Sequence, residues 1–198
     1  MKNKKNIVIK LGTTSIIQDN MLNIQFIESL AKCIKTLHEE GVSTLIVTSG
    51  AVQLGANELN LKKRPTNLKS LQVASSIGQI ELINSYKEIF QKNGLRVGQV
   101  LMSKNVLEDR SQFVNTTAAL NELINQEIVP VINENDIVAT EELKYGDNDR
   151  LSAIVAIITK ADKLIIVTDQ EGLFNTDPTS SSEAKKIDFI EFDSEELI

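Results

Sequence analysis

Short apolar runs rich in β-branched residues alternate along this chain with longer stretches whose apolar residues recur every three to four positions. The runs Ile7–Lys10, Val42–Thr48, Leu95–Met102, Ile128–Ile132 and Lys163–Asp169 read as strands. Between the first two, Ile24, Ile27, Ala31, Ile34 and Leu37 fall on one helical face with Phe26, Leu30 and Cys33 alongside, and Gly41 closes that helix. Gly50–Leu59 reads as a short helix. Pro65-Thr66-Asn67 opens a longer one, with Leu68, Leu71, Ser75, Leu82, Tyr86 and Phe90 as face residues, and Gly94 ends it. Phe113–Gln126 and Asp147–Ala161 supply two more helices. Pro130 stands against its strand, because proline cannot donate to a ladder. Asn133–Gly146 reads as a loop with a small hairpin through Ile137–Lys144, and Asp193-Ser194-Glu195-Glu196 as a helix start two residues before the last residue, Ile198. A helix of about one turn cannot sustain itself, so the sequence is expected to end inside a larger fold.

Strict strand–helix alternation predicts an α/β protein with a parallel sheet covered by helices on its faces. In such a sheet the segments that follow the strands emerge along one edge, where open α/β sheets bind ligands. Here those segments are Leu11-Gly12-Thr13-Thr14, Ser49-Gly50, Asn133-Glu134-Asn135-Asp136 and Thr168-Asp169, with Lys10 at the end of the first strand. One lysine, several glycines and several hydroxyls on one rim suggest a site for phosphate and a small anion. Gly50-Ala51-Val52-Gln53-Leu54-Gly55 has P-loop glycine spacing, but Ala56-Asn57 stands where Lys-Ser/Thr is required, and no Gly-x-Gly-x-x-Gly occurs. What remains is a strand-end lysine, a Gly-Thr-Thr turn and a helix opening at Ser49-Gly50, whose N–H groups favour anions.

Composition narrows the classes. The 198 residues suffice for one domain with a full core, and 41% hydrophobic with 24% charged residues is ordinary for a globular protein. No apolar run approaches the ~20 residues needed to cross a bilayer. Met1-Lys2-Asn3-Lys4-Lys5 resembles a signal-peptide start, but Lys10 interrupts the apolar run that follows, so a cytoplasmic location is expected. A single cysteine, Cys33, excludes an internal disulfide, and a single histidine, His38, excludes a histidine metal cluster and argues against a Ser-His-Asp triad. These two read as a helix-face thiol and a solvated imidazole. A net charge of −6 and 4% aromatic residues argue against nucleic acid as partner.

Val8-Ile9-Lys10-Leu11-Gly12-Thr13-Thr14, Val47-Thr48-Ser49-Gly50-Ala51-Val52, Gly78-Gln79, Asn133-Glu134-Asn135-Asp136, Gly146-Asp147-Asn148-Asp149-Arg150-Leu151-Ser152-Ala153 and Thr168-Asp169-Gln170-Glu171-Gly172-Leu173-Phe174, leading to Asp177-Pro178, follow one another in an order and spacing that resemble the amino acid kinase family. The Gly-Asp-Asn-Asp-x-Leu-Ser-Ala block resembles its glutamate-phosphorylating members most closely. The resemblance implies a three-layer αβα sandwich around an open, mostly parallel sheet, spanning residues 1–198 and lacking the C-terminal part of the family domain. It implies ATP with Mg²⁺, transfer of a phosphoryl group to the γ-carboxylate of L-glutamate, and a place at the opening of proline synthesis. Lys10 would bind the transferring phosphoryl group, with Gly12 beside it, and Asp149 would orient Lys10. Ser49, Asp136 and Asn148 would hold glutamate, and Thr168 and Asp169 would contact ATP. Proline would compete as feedback inhibitor at the loop Asn133–Gly146, a glutamyl phosphate reductase would take the product, and the protein would form a homo-oligomer, with the helix Asn67–Lys92 as candidate contact surface. The family's Gly-Thr-Gly-Gly-Met-type stretch and second lysine do not occur here, nor does its RNA-modification-type accessory domain.

The chemistry fits those residue types. A γ-carboxylate with a pKa of ~4.3 is already a nucleophile at neutral pH and needs no general base. The obstacle is the approach of two anions, which positioning and neutralisation by lysine, Mg²⁺ and backbone N–H groups can overcome. The substrate ammonium needs an anionic partner, which Asp136 can supply. Each residue also has a bland reading: Lys10 solvated, Asp147 and Asp149 as first-turn acids, Asn148 as a helix cap, Asp136 as a solvated loop acid, and Thr168-Asp169 as a turn. Two alternatives stay open at this point, namely another family member acting on acetylglutamate, carbamate or a nucleoside monophosphate, and a non-catalytic module that binds glutamate or proline.

Overall fold

A computed structural model describes residues 5–138, 148–176, 178, 180–181 and 183–191. Elements follow in the order β1 (Lys5–Leu11), α1 (Thr13–Ile16), β2 (Ile17–Gln18), β3 (Met21–Leu22), α2 (Ile24–Glu39), β4 (Val42–Val47), α3 (Ala51–Glu58), α4 (Leu68–Lys92) and β5 (Arg96–Met102). A 3-10 turn (Lys104–Leu107) then precedes α5 (Arg110–Asn125), β6 (Ile128–Glu134), α6 (Asp149–Ile158), β7 (Lys163–Val167), β8 (Leu173–Phe174) and β9 (Lys186–Ile187). The chain divides into two compact units, Met1–Val167 and Thr168–Ile198.

The first unit is built on a five-stranded parallel sheet in the order β5-β6-β4-β1-β7. Side chains alternate between its faces. Ile9, Leu11, Ile46, Val129 and Val131 pack with residues of α2, α3 and α4 in one core. Val8, Leu45, Val47 and Ile132 pack with residues of α5 and α6 in the other. Helices therefore cover both faces, giving the three-layer sandwich. The parity also assigns sides at the strand ends: Lys10 shares Val8's face, towards α6, whereas Thr48 and Asn133 share that of Ile46 and Val131, towards α4.

Local chemistry sets the helix boundaries. Asn23, Asn67 and Asp109 cap α2, α4 and α5 by accepting from the N–H groups of Phe26, Ser70 and Gln112 at 3.0, 2.9 and 2.9 Å. Gly41 ends α2 at a φ of +81° and donates its N–H to the His38 carbonyl. Pro130 fits its interior strand for a specific reason. Ile132 points its carbonyl at Thr48 of the chain following β4, so the missing N–H of Pro130, two residues earlier, falls on the same side, and the β4 ladder begins only at Val131.

The Asp19-Asn20 hairpin turn between β2 and β3, with φ of 51° and 61°, and the Lys104–Leu107 turn escape the periodic pattern because each is too short to show a period. Ile24 is 44% exposed and lies off the buried face predicted for it, since it occupies the first position of α2. His38 is half-buried against Thr44 Oγ1 at 3.2 Å, which corrects the expectation of a solvated imidazole. Cys33 is exposed. The expected hairpin Ile137–Lys144 falls largely outside the described residues, and the expected helix at Asp193–Glu196 wholly so.

α3 and α4 cross at unusually close range. A Cβ on Gly55 would lie 1.7 Å from the Ala74 carbonyl oxygen, and one on Gly78 would lie 1.9 Å from that of Ala51. Only glycine at both positions lets the helices touch backbone to backbone. β7 is an outer strand of the sheet with Ile165 and Ile166 each 44% exposed. In the second unit β8 and β9 pair antiparallel, and the Asn175 side chain accepts from the Lys185 N–H at 2.8 Å.

Candidate active site

The ends of the three adjacent strands β1, β4 and β6 meet the N-terminus of α6 at one rim of the sheet. Lys10 lies near the end of β1, turned to the α6 side, and only 11% of its side chain is exposed. Its Nζ sits 2.6 Å from Asp149 Oδ1. Asp149 opens α6, where the helix dipole favours an acid, but it also serves as the partner of the buried ammonium. That Oδ1 is shielded from solvent while the side chain as a whole is 46% exposed.

Gly12 follows β1 in extended conformation and precedes α1. A Cβ there would stand 3.8 Å from Lys10 Nζ, so the absent side chain leaves the ammonium accessible from that direction. The Gly12 N–H is directed at the Val167 carbonyl at 3.3 Å. Gly12 can therefore act at a phosphate through space rather than through its own N–H. The N–H groups of Thr13 and Thr14 stand at the start of α1, where the first helical N–H groups have no intrahelical acceptor.

After β4, Thr48 and Ser49 are buried, and Gly50 caps α3 with a φ of +97°, a left-handed conformation that side chains disfavour. Thr48 Oγ1 is 3.0 Å from the Tyr86 hydroxyl of α4. Complete burial pushes the Tyr86 phenol far above its ordinary pKa, an effect that the hydrogen bond to Thr48 partly offsets.

Asn148 precedes α6, yet its side chain does not cap the helix. It is buried, and its Nδ2 donates to the Thr48 carbonyl at 2.6 Å and to Asn133 Oδ1 at 2.9 Å, with Ser49 Oγ at 3.3 Å. The bland reading of Asn148 as a cap is thereby excluded. Asp136, in the turn beyond β6, is 9% exposed and accepts a short hydrogen bond from Ser75 Oγ of α4. It is a buried carboxylate, not a solvated loop acid. Lys10, Ser49, Asn148 and Asp149 thus form a connected group on the rim, with Asp136 joined to it through the end of β6.

Thr168 and Asp169 belong to the second unit. Both are exposed, and the Thr168 hydroxyl donates to Asp169 Oδ1 at 3.4 Å and accepts from the Gln170 N–H at 3.2 Å. Among the described residues no group of three or more His, Cys, Asp or Glu side chains forms a metal cluster. None of the described helices is long and apolar enough to cross a membrane.

Several supporting residues were not legible as such. Gln72, Ser75 and Gln79 line one face of α4 and bond the Ile137 carbonyl (3.1 Å), Asp136 and Asn133 (2.8 Å) respectively. A polar stripe at positions i, i+3 and i+7 of an otherwise core-facing helix is the signal that could have disclosed them. A cavity of about 350 Å³ opens beside this face, lined by Ser75, Gln79, Leu101, Glu134 and Asp136 among others.

The family described as "Amino acid kinase family" matches residues 5–197. The chain is 43% identical over 190 residues to a glutamate 5-kinase of Haemophilus influenzae (strain PittGG), covering 96% of this chain and 52% of that protein. It is 38% identical over 199 residues to a glutamate 5-kinase of Clostridium tetani, covering 100% of this chain and 74% of that protein. The chain thus spans about half the length of the Haemophilus relative. Among solved structures, an isopentenyl phosphate kinase superposes with a TM-score of 0.62 at 14% identity, covering 94% of this chain and 81% of that one. The UMP kinase of Ureaplasma parvum gives 0.59 at 17%, covering 92% and 74%. At those identities the likeness is one of fold.

Proposed function

The chain belongs to the amino acid kinase family, and we propose that it transfers the γ-phosphoryl group of ATP to the γ-carboxylate of L-glutamate, the activity named for the relatives above. The observation that carries the reading is the coexistence, on one rim, of a buried lysine held by Asp149 and the buried polar side chains of Ser49, Asn148 and Asp136.

In this reading Lys10 neutralises the transferring phosphoryl group. Asp149 holds the ammonium in place, so that its position is fixed before substrate arrives. A carboxylate oxygen of glutamate forms the new bond to phosphorus as the β–γ bridging P–O bond breaks, and the electron pair leaves with ADP. The nucleophile is already ionised at neutral pH, so the transfer needs no general base. Asp136 takes the substrate ammonium, while Ser49 and Asn148 complete the glutamate site. Thr168 and Asp169 contact the nucleotide.

The residues suit a phosphate: a shielded cation, a glycine that leaves it uncovered, and the helix start at Thr13-Thr14. Mg²⁺ neutralises phosphate charge when bound, and it is commonly held by substrate phosphates and waters rather than by an all-protein cage. That habit suits a site whose described residues form no acidic cluster. The acyl phosphate product is labile, so a reductase that consumes it belongs to the same proposal, as do competition by proline, a homo-oligomer, a cytoplasmic location and a single kinase domain over residues 1–198.

Trapping the product with hydroxylamine tests the reading. ATP-dependent hydroxamate formation is expected with glutamate and not with acetylglutamate. If glutamate gives none while acetylglutamate, carbamate or a nucleoside monophosphate stimulates ADP release, the substrate assignment fails.

A further inference from the structure

Gln79 of α4 lines the cavity beside Asp136 and accepts from Asn133, yet the reading above gives it no role towards substrate. We propose that Gln79 is a positioning residue: acting through Asn133, it holds the Asn148 carboxamide so that Asn148 offers substrate an acceptor oxygen and not a donor. The proposal rests on the glutamate-binding reading of Asn148.

Two backbone groups that cannot flip dictate the polarity of the chain of amides. The Glu134 N–H donates to Asn133 Oδ1 at 2.9 Å, which makes that atom the oxygen. The Thr48 carbonyl accepts from Asn148 at 2.6 Å, which makes the bonded atom Nδ2. With both ends fixed, Asn148 Nδ2 donates to Asn133 Oδ1, and Asn133 Nδ2 must find an acceptor, which is Gln79 Oε1 at 2.8 Å. A carboxamide has two N–H bonds. Those of Asn148 go to the Thr48 carbonyl and Asn133 Oδ1, with Ser49 Oγ sharing them at 3.3 Å, and among the described residues its Oδ1 accepts nothing. That oxygen is the group left for a substrate N–H, and the ammonium of an amino acid supplies one.

The relay crosses the rim from α6 on one face of the sheet to α4 on the other. Its far end is anchored by Gly78, whose missing Cβ lets α4 sit against the Ala51 carbonyl and so fixes how far Gln79 can reach. Without the Gln79 acceptor, Asn133 Nδ2 must rotate or take up water, and the polarity of Asn148 loses one of its two constraints.

The test uses the 198-residue chain with Gln79→Ala and Gln79→Glu, the second of which still offers an acceptor. Two measurements are made: hydrogen exchange of the Asn133 and Asn148 side-chain amides by ¹⁵N NMR without ligand, and kinetics with glutamate and with glutarate, which lacks the ammonium. For Gln79→Ala the expectation is about tenfold faster amide exchange and about tenfold higher KM for glutamate, the size of one lost buried hydrogen bond, with kcat, the KM for ATP and the kcat/KM for glutarate within about twofold of wild type. Gln79→Glu should recover most of the loss. Wild-type exchange and affinity in Gln79→Ala overturn the proposal, as does an equal loss for glutamate and glutarate, which marks a purely structural role. If the wild-type chain neither binds nor phosphorylates glutamate, the functional reading falls instead. Amide exchange then decides the relay by itself, and an unchanged rate overturns it.

Discussion

Lys10 Nζ and Asp149 Oδ1 lie 2.6 Å apart, although one residue is near the end of the first strand and the other begins the last long helix of the first unit. The pair holds a nearly buried ammonium beside Gly12, at the place where a phosphoryl group would need a fixed positive charge. Replacing Lys10 by Met keeps most of the aliphatic stem and removes only the charge. The turnover should fall by about 10²–10³-fold, the range seen when one preorganised charge-stabilising donor is lost. Circular dichroism should remain that of the wild type. Hydroxamate formation measures the first quantity, and retention of more than a third of the wild-type rate would remove Lys10 from the chemistry.

Asp136 accepts from Ser75 and is buried beside the cavity that Ser75 and Gln79 also line. Asp136→Asn keeps the shape and removes the charge proposed to answer the substrate ammonium. The KM for glutamate should rise by roughly 10–100-fold, as expected for truncating one partner of a desolvated charge pair, while the KM for ATP stays put. Parallel titrations of the two substrates measure this. A matched rise in both KM values would show that the mutation had damaged the site generally.

Gly55 and Gly78 allow α3 and α4 to approach backbone to backbone. In an exposed helix, Gly→Ala is stabilising by about 1 kcal/mol. Here the added methyl would meet a carbonyl oxygen that cannot swing aside, so Gly78→Ala should instead destabilise by about 1–3 kcal/mol. For a chain of this size that lowers Tm by several degrees, on the scale of ~2–4 °C per kcal/mol. Thermal denaturation fixes the sign, and a higher Tm would mean that the helices do not cross as described.

Tyr86 is wholly buried, and its phenol is held well above the ordinary value of 10.0. The folded state therefore resists ionisation that the unfolded state accepts. Its contribution to stability is complete below pH 10.0 and is lost progressively as the pH rises towards the folded pKa. Tyr86→Phe should cost about 0.5–1.5 kcal/mol at neutral pH, through the lost bond to Thr48, and should flatten the alkaline decline. Urea unfolding at a series of alkaline pH values measures both effects, and an undiminished decline in the variant would assign it to other groups.

Much of the fold and part of the site could be read directly. Apolar periodicity and turn chemistry are local properties, so the five strands, the long helices and the polar clusters after the strands follow from neighbouring residues alone. Pro130 looked like an objection only because the ladder's starting point on β4 is not a local property. The short Asp19-Asn20 hairpin carried too few residues to show a period.

What local pattern could not decide is which side chains meet. That depends on the order β5-β6-β4-β1-β7 and on the parity of each strand, which turn Lys10 towards α6 while Thr48 and Asn133 turn towards α4. Sequence determined that Asn148 would stand at a helix start; only the assembled rim made it a bridge to Thr48 and Asn133 instead of a cap. The physical reason is that a buried polar group must satisfy its hydrogen bonds wherever partners are brought to it. Here those partners come from strands and helices far away along the chain.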